Sequence, residues 1–374
     1  MESVVDMFNH AYAGQPVLVT GHTGFKGAWL ALWLRELGAR VFGYGWPPPT
    51  QPSLYEVIRE GTFAGEVEDD IRNRPSLLRV LNEVQPRFVF HLAAQALVRQ
   101  SYANPLETFA INALGTAHLL DAVRETGRWC VTVVVTSDKC YEPQGWDVGY
   151  RETDPMGGRD AYSMSKGAAE LVVQAWRSSF FGPNSPLGPV ASVRAGNVIG
   201  GGDYAADRLV PDCVRALLAC RPIDIRNPGF TRPWQHVLDC LSGYLWLGAR
   251  LADPRAPVSA GAYNFGPGPL RSLSVAEVVT RILDRWPGQW RDASDPDSVP
   301  ESDRLALAID KAVQVLDWLP TWGIDEAVLR TVQWYHERHV IHHADMAGFT
   351  RRQLGDYCSQ ARQQGLAWAE PASP

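Results

Sequence analysis

Through its first 200 residues, the chain alternates short apolar runs with longer amphipathic stretches. Continuous apolar runs predict strands that are buried on both faces, as in a parallel sheet. Such strands are predicted at 17–20, 40–44, 88–91, 130–136 and 190–194. Amphipathic stretches predict helices at 21–37, 105–125 and 160–179. The alternation is typical of an α/β fold.

The regular alternation weakens after residue 196, where glycine, proline and arginine become frequent through residue 233. That composition predicts loops that cover a site. Further along, a helix at 236–251, a strand at 262–265 and amphipathic helices at 274–286 and 325–339 are predicted. Residues 353–374 carry no pattern that predicts an element.

Composition limits the possible functions of this chain. Of 374 residues, 45% are hydrophobic and 20% are charged, which is ordinary for a folded protein. The net charge of −6 argues against a broad nucleic-acid surface. The six cysteines lack metal-ligand spacing, which predicts no metal site and favours a reducing compartment, the cytoplasm. No apolar run approaches the ~20 residues that a membrane helix needs.

Three glycines stand between the first predicted strand and the first predicted helix. Gly21 and Gly24 allow a tight turn and a close approach of the backbone to a pyrophosphate, and Gly27 lets the helix lie against the sheet. The helix N-terminus attracts the phosphate charge. This placement predicts a dinucleotide cofactor.

The choice between NAD and NADP rests on the end of the second strand, which usually carries an acidic residue for the adenosine ribose. Residues 42–46 contain neither an acid nor an arginine. Asp70 and Ile71, after a predicted third strand, are instead expected to bracket the adenine. We favour NAD.

Tyr162 and Lys166 lie four residues apart, so they share one face of their predicted helix. A nearby ammonium favours the phenolate and is expected to lower the tyrosine pKa from ~10 toward neutrality. Tyr162 then removes a proton from a hydroxyl while the carbon delivers hydride to nicotinamide. Lys166 is also placed to hold the nicotinamide ribose.

Ser137, Asp138 and Lys139 follow the strand at 130–136 directly. Because ligands of open α/β sheets bind at the carboxyl ends of strands, these side chains should face the site. Ser137 is expected to bond the reacting oxygen with Tyr162. An adjacent acid and amine suit an elimination, in which one carbon loses a proton and a departing hydroxyl gains one.

Taken together, these motifs resemble the nucleotide-sugar dehydratase branch of the extended short-chain dehydrogenase/reductase family. The resemblance runs from about residue 17 to about residue 337 and rests on the glycine loop and on 91–95, 136–141, 149–152, 162–166, 194–203 and 232–237. The Ser-Asp-Lys triplet at 137–139 and His22 are typical of the members that act on CDP-glucose. The dTDP-glucose members carry Asp-Glu after the first residue of that triplet.

The resemblance implies a Rossmann-type doubly wound parallel sheet with a smaller C-terminal α/β substrate domain. The NAD-binding domain is expected at 14–196 plus 236–266, the nucleotide-sugar domain at 197–235 plus 267–345, and a C-terminal tail at 346–374. The resemblance also implies a homodimer.

The implied reaction is an internal redox cycle on CDP-glucose. Tyr162 deprotonates the C4 hydroxyl, hydride moves from C4 to NAD, Lys139 removes the C5 proton, and Asp138 protonates the leaving C6 hydroxyl. Hydride then returns to C6. Lys139 must be neutral to act as a base, which requires burial or a neighbouring cation.

Further site residues follow from the matching motifs. His22, Phe25 and Ala93 are implied contacts of the cofactor. Asn197 and Arg232, with Arg99 and Arg208 as further candidates, are expected to bind the diphosphate, whose oxygens suit the planar arginine fork.

Two other functions remain open at this point. A nucleotide-sugar epimerase, or a dehydratase for another nucleotide sugar, would use the same fold, although an epimerase does not need the Asp138–Lys139 pair. A non-catalytic NAD-binding regulator would not need the intact set of Ser137, Tyr162 and Lys166.

Overall fold

The computed structural model describes residues 4–146, 148–183, 185–255, 258–268, 272–295 and 304–370. Its strands, numbered in chain order, are β1 Pro16–Thr20, β2 Arg40–Gly45, β3 Gly65–Glu68, β4 Phe88–His91, β5 Val131–Val135, β6 Val190–Ala195, β7 Val198–Ile199, β8 Ile223–Ile225, β9 Thr231–Arg232, β10 Gln235–His236, β11 Ala262–Phe265, β12 Leu273–Ser274 and β13 Trp290–Asp292. No helix within these ranges is long and apolar enough to cross a membrane.

The α-helices are α1 Phe25–Glu36, α2 Leu54–Ile58, α3 Arg74–Val84, α4 Val98–Ala103, α5 Pro105–Phe109, α6 Gly115–Glu125, α7 Ala161–Ser179, α8 Leu209–Leu218, α9 Val237–Ala252, α10 Val275–Leu283, α11 Asp310–Leu316, α12 Ile324–His339 and α13 Met346–Gln363. A π-helical turn, Ala110–Leu114, joins α5 to α6, so the predicted helix at 105–125 is one continuous run. Short 3-10 turns lie at Met7–His10 and Asp138–Cys140.

A seven-stranded parallel sheet forms the centre of the described chain, in the order β11-β6-β5-β4-β1-β2-β3. From β1 the chain proceeds to one edge of the sheet through β2 and β3, and then returns to build the other half from β4 outward. The boundary between β1 and β4 is therefore the topological switch point, where such sheets bind ligands. Every strand predicted in the first 200 residues is present, and the Rossmann-type doubly wound sheet is confirmed.

The C-terminal segment, where the sequence predicted no element, closes the core behind α1. Helix α13 places Tyr357 5.6 Å from the ring of Trp33, and Trp368 beyond it stacks on Phe8 with ring centroids 5.1 Å apart. Trp368 also packs edge-on against Trp33. The segment therefore fixes the helix whose N-terminus forms the glycine cradle.

Helix α7 begins where the sequence predicted, because Asp160 caps it. The Asp160 carboxylate accepts a hydrogen bond of 2.9 Å from the backbone N–H of Ser163. A cap of this kind stabilises a helix by about 1 kcal/mol. It fixes the first turn, which carries Tyr162, against the carboxyl end of β5.

Candidate active site

A cavity of about 1170 Å³ lies at the carboxyl ends of the strands, beside the switch point between β1 and β4. It takes its walls from the glycine loop, the ends of β4 and β5, helix α7 and the loops after β6 and β8. The predicted site residues that line it are Gly21, Gly24, Phe25, Gly27, Asp70, Ile71, Ala93, Arg99, Ser137, Asp138, Lys139, Tyr162, Lys166, Asn197, Arg208 and Arg232.

The glycine loop makes a cradle that larger residues would fill. Gly21 has φ +72°, and a Cβ there would lie 2.6 Å from the backbone nitrogen of Ala93. A Cβ on Gly27 would lie 2.1 Å from the carbonyl oxygen of Gly21. Gly24 is the N-cap residue of α1 and has no side chain that could accept hydrogen bonds from the first backbone N–H groups of the helix. These features fit a pyrophosphate at the helix N-terminus.

His22 belongs to the same loop, but its side chain does not line the cavity. Its buried Nε2 lies 3.0 Å from a carboxylate oxygen of Glu66, which also accepts a 2.8 Å hydrogen bond from Tyr55. The ring fills the space above Gly43, where a Cβ would come within 2.4 Å of it. The structure thus directs the His22 ring toward β2 and β3, and a cofactor contact of His22 stays a prediction.

The wall near the predicted adenine end carries Asp70 and Ile71. Arg72 donates to both oxygens of Asp70, at 2.9 and 3.0 Å from its Nε, and holds the pKa of that carboxyl below its ordinary value. The guanidinium of Arg72 also lies over the ring of Trp46, 5.6 Å from its centre. Trp46 lines this wall at the end of β2, where the sequence lacks the usual acid.

Tyr162 and Lys166 come together with Ser137 under the middle of the cavity. All three side chains line the cavity, and the Lys166 ammonium donates to the Val135 carbonyl at 3.5 Å. Burial, and then the nearby Lys26 ammonium, lower the pKa of Lys166 to about 8.

The expected lowering of the Tyr162 pKa by Lys166 is not found. Burial raises the pKa of Tyr162 to about 12, because desolvation of a phenolate outweighs the opposing Ser137 hydrogen bond.

Asp138 is 4% exposed and has an asymmetric environment. Its Oδ1 accepts a 3.0 Å hydrogen bond from the Ser137 hydroxyl, whereas Oδ2 has no partner among the described residues. Burial raises the pKa of Asp138, against the lowering effects of Lys139, Ser137 and Arg232. A carboxyl group in this setting keeps its proton more readily and suits a general acid.

Lys139 is half-buried and lines the cavity next to Asp138. Its backbone N–H donates to the Ser137 hydroxyl at 3.2 Å, which closes the 3-10 turn at Asp138–Cys140. This turn places the acid and the amine side by side at the end of β5, as the sequence predicted.

The opposite wall carries the cations predicted to bind the diphosphate. Arg208 pairs with Asp203 at 2.9 Å, and Arg99 approaches Asp207 at 3.5 Å. Arg226, which the sequence analysis did not select, also pairs with Asp207, at 2.9 Å. These carboxylates hold the guanidinium groups at the cavity, where phosphate oxygens can compete for them.

The sequence analysis also missed a lysine in the glycine loop. Lys26 follows Phe25 in the glycine loop and lines the cavity, where its ammonium interacts electrostatically with Lys166 and Asp138. Burial lowers the pKa of Lys26. A lysine inside a phosphate cradle was the available signal in the sequence.

Beneath the site, Glu170 and Arg194 form an ion pair of 2.8 Å, with side chains 3% and 1% exposed. Glu170 also accepts hydrogen bonds from Thr136 and Ser192, at 2.5 and 2.7 Å. Arg194 reaches across to the Tyr141 hydroxyl at 2.7 Å. The signal in the sequence was a carboxylate four residues after Lys166 on the same helix face.

Comparisons with known proteins agree with this geometry. The family model described as GDP-mannose 4,6 dehydratase matches residues 18–331. CDP-glucose 4,6-dehydratase of Salmonella typhimurium is 45% identical, over 93% of this chain and 97% of that protein.

Solved structures give the same result for the fold. Epimerase Mth375 of Methanothermobacter thermautotrophicus has a TM-score of 0.74 and 26% identity, over 90% of this chain and 96% of that one. MoeE5 in complex with UDP-glucose and NAD has a TM-score of 0.72 and 26% identity, over 86% of this chain and 98% of that one.

Removing one partner of the ion pair under the site should be strongly destabilising. Glu170→Gln leaves Arg194 buried without its countercharge, so we expect the free energy of unfolding to fall by about 3–5 kcal/mol in urea titrations. Because the folded pKa of Glu170 lies below its ordinary value, its contribution is present above about pH 4.3 and is lost as pH falls further.

A matched control is available on the surface. Glu83→Gln disrupts the exposed Arg79–Glu83 pair, whose side chains are 54% and 60% exposed, and should cost less than about 1 kcal/mol. Equal effects of the two substitutions would contradict the importance of the buried pair.

Proposed function

The chain belongs to the nucleotide-sugar 4,6-dehydratase family, and from that premise we propose that it converts CDP-glucose to CDP-4-dehydro-6-deoxy-glucose and water. The observation that carries the proposal is the nearly full-length similarity to a CDP-glucose 4,6-dehydratase, in a chain whose Ser137, Asp138 and Lys139 line one cavity with Tyr162 and Lys166.

The cavity residues fit NAD as the cofactor. When bound, NAD would accept hydride from C4 of the sugar and return it to C6. The residues proposed to hold it are Gly21, Gly24, Phe25, Gly27, Asp70, Ile71, Ala93, Tyr162 and Lys166. The crowded backbone at Gly21 and Gly27 supports this assignment, since a side chain larger than glycine's would not fit at either position.

Oxidation at C4 requires Tyr162 as the base, with Ser137 bonded to the same oxygen. The pKa of about 12 for the buried phenol must fall before it accepts a proton. Lys166 and the positive charge of an oxidised nicotinamide are the groups that would favour the phenolate.

Elimination of water follows from the new ketone, which acidifies the C5 proton. Lys139 is proposed to remove that proton, and Asp138 to protonate the C6 hydroxyl as it leaves. The raised pKa of Asp138 supports its role as the acid. Arg99, Asn197, Arg208 and Arg232 are proposed to bind the diphosphate, which positions C5 and C6 over this pair.

Cofactor binding and substrate binding are proposed to belong to the two regions predicted from the sequence. Residues 14–196 plus 236–266 would bind NAD, and residues 197–235 plus 267–345 the nucleotide sugar.

Each of the six cysteines lies within the described residues and is unpaired, which supports a reducing compartment and hence the cytoplasm.

A direct assay tests the proposed reaction. The purified protein with NAD should release one water from CDP-glucose without accumulating NADH, as followed by product mass and absorbance, and should be slower with dTDP-, UDP- and GDP-hexoses. Tyr162→Phe keeps the ring but removes the base, and should lower kcat at least ~100-fold. An unchanged mass with a new stereoisomer would indicate an epimerase, and no turnover of any sugar would indicate a regulator.

The role of Lys139 has its own signature. Lys139→Ala should still oxidise C4 but should fail to eliminate water, so NADH accumulates while overall turnover falls about 10²–10⁴-fold. Lys139→Arg is the matched control, because it keeps the charge and cannot act as a base. Water loss at the normal rate in either variant would contradict the assignment of the C5 base.

A homodimer is proposed to form through the helices α4 to α7. These helices pack together and expose apolar side chains, namely Tyr102, Leu106, Phe109, Leu114, Met164 and Leu171. Leu106 is 86% exposed, and Leu114 and Leu171 are each 57% exposed. Exposed apolar side chains in this number are typical of a subunit contact.

The dimer can be tested by sedimentation. Leu114→Glu with Leu171→Glu places charges in the proposed contact and should weaken self-association at least ~10-fold, or ~1.4 kcal/mol. Leu329→Glu is the control, because Leu329 is 38% exposed on α12, outside the proposed contact. A dimer that resists the double substitution would rule out this surface.

A further inference from the structure

The end of β2 lacks the side chain that usually holds the adenosine of a dinucleotide. Rossmann folds that bind NAD commonly carry an acid there, which bonds the adenosine ribose. Here β2 ends at Gly45, and Trp46 follows it. A Cβ on Gly45 would lie 3.2 Å from the backbone nitrogen of Gly21, so an acidic side chain at that position would press on the glycine loop. Another residue is therefore needed for this contact.

Trp46 is an exposed ring in a place where a ligand can cover it. It lines the cavity and is 48% exposed, whereas Trp29, Trp33 and Trp334 are fully buried. Covering a flat apolar ring removes it from water, which is favourable. The flat group that NAD brings to the end of β2 is its adenine, with the ribose attached.

The backbone and the ring of Trp46 are both held in place. The Thr23 hydroxyl of the glycine loop donates a 2.8 Å hydrogen bond to the Trp46 carbonyl, which ties the tryptophan to the proposed pyrophosphate cradle. The Arg72 guanidinium lies 5.6 Å from the centre of the ring, within the range of a cation–π contact. A side chain that is held before binding loses little conformational entropy on binding.

Arg72 is fixed in turn by carboxylates. Its Nε donates to both oxygens of Asp70, at 2.9 and 3.0 Å, and a terminal nitrogen lies 3.8 Å from the Glu107 carboxylate. Arg72 does not line the cavity, although Trp46 does. The guanidinium therefore supports the ring without occupying the space that a ligand would take.

Resting on the assignment of NAD in the proposed function, we propose that Trp46, supported by Arg72, is the contact surface for the adenosine of NAD. The tryptophan takes the place of the acid that usually ends β2. The ring supplies an apolar face to adenosine, and the hydrogen bond from Thr23 sets its position relative to the glycine loop.

The charges around this surface also favour NAD over NADP. The segments 45–54, 69–71 and 107–111 contribute three charged side chains to the cavity lining, and all three are acidic: Asp69, Asp70 and Glu107. A 2′-phosphate on the adenosine ribose would face these carboxylates without a cation from the same segments. Like charges repel, so the phosphate of NADP would weaken binding.

Calorimetry with fragments of the cofactor tests the surface on the full-length protein. Trp46→Ala should weaken the binding of NAD and of AMP at least ~10-fold, or ~1.4 kcal/mol, and leave that of nicotinamide mononucleotide unchanged. Trp46→Phe keeps an aromatic face and should lose less than ~3-fold. Trp290→Ala is the matched control, because Trp290 is 37% exposed and does not line the cavity. Unchanged AMP affinity in Trp46→Ala, or an equal loss of the mononucleotide, would overturn the proposal.

The same titrations test the selectivity. Asp69→Asn with Glu107→Gln removes two of the three negative charges and should lower the ratio of the NADP to the NAD dissociation constant at least ~5-fold at low salt. Glu83→Gln is the control, because Glu83 is 60% exposed and does not line the cavity. A ratio unchanged by the double substitution would overturn the assignment of selectivity to these carboxylates.

Fluorescence applies even if Trp46→Ala proves unstable. The chain contains 14 tryptophans, so the contribution of Trp46 is the difference between the emission of wild type and that of Trp46→Phe. AMP should quench the wild type more than it quenches Trp46→Phe, and equal quenching would overturn the proposal. Failure of the wild type to bind NAD at all would instead refute the proposed function, which keeps the two failures distinct.

Discussion

The buried pair of Glu170 and Arg194 is the constraint on which the active site depends. Two charges removed from water are costly, and the cost is offset only when every donor and acceptor has a partner. Here Glu170 accepts from Arg194, Thr136 and Ser192, and Arg194 reaches Tyr141 as well. The pair therefore ties helix α7, strand β6 and the end of β5 together at one point.

Each tied element carries part of the chemistry. Lys166 lies one helical turn before Glu170, and Ser137 directly follows Thr136. Tyr141, just past the 3-10 turn, donates to Asn264, whose amide bonds the backbone carbonyls of residues 150 and 308. The turn that presents Asp138 is thus held from both ends by contacts within the protein.

The same burial that makes the pair costly also sets the acid–base properties above it. Desolvation raises the pKa of Asp138 and of Tyr162 and lowers those of Lys166 and Lys26. Asp138 becomes a weaker acid and the two amines become more readily neutral, which brings these three groups closer to the pH at which proton transfer is efficient, whereas the pKa of Tyr162 moves away from it. A more open site would leave each group near its ordinary pKa.

Local signals in the sequence predicted the sheet, the glycine cradle and the Tyr162–Lys166 face, because each depends on a short pattern. Helix α13 was not predicted, since Tyr357 and Trp368 are buried only by distant partners such as Trp33 and Phe8. The orientation of the His22 ring was not predicted, for a related reason. Its orientation depends on the space above Gly43 and on Glu66, which belong to other strands.

The cavity wall that is proposed to bind the diphosphate carries several arginines. Four arginines, namely Arg99, Arg208, Arg226 and Arg232, line the cavity near Asp203 and Asp207. Asp212, Asp224 and Asp295 line the same cavity, so the arginines provide local hydrogen-bond donors rather than a net excess of positive charge. Because the aspartates already orient three of the guanidinium groups, a diphosphate meets donors whose conformational entropy is partly lost before binding. This arrangement is the one expected if, as proposed, the wall binds the diphosphate and the Ser137–Lys139 turn carries out the elimination.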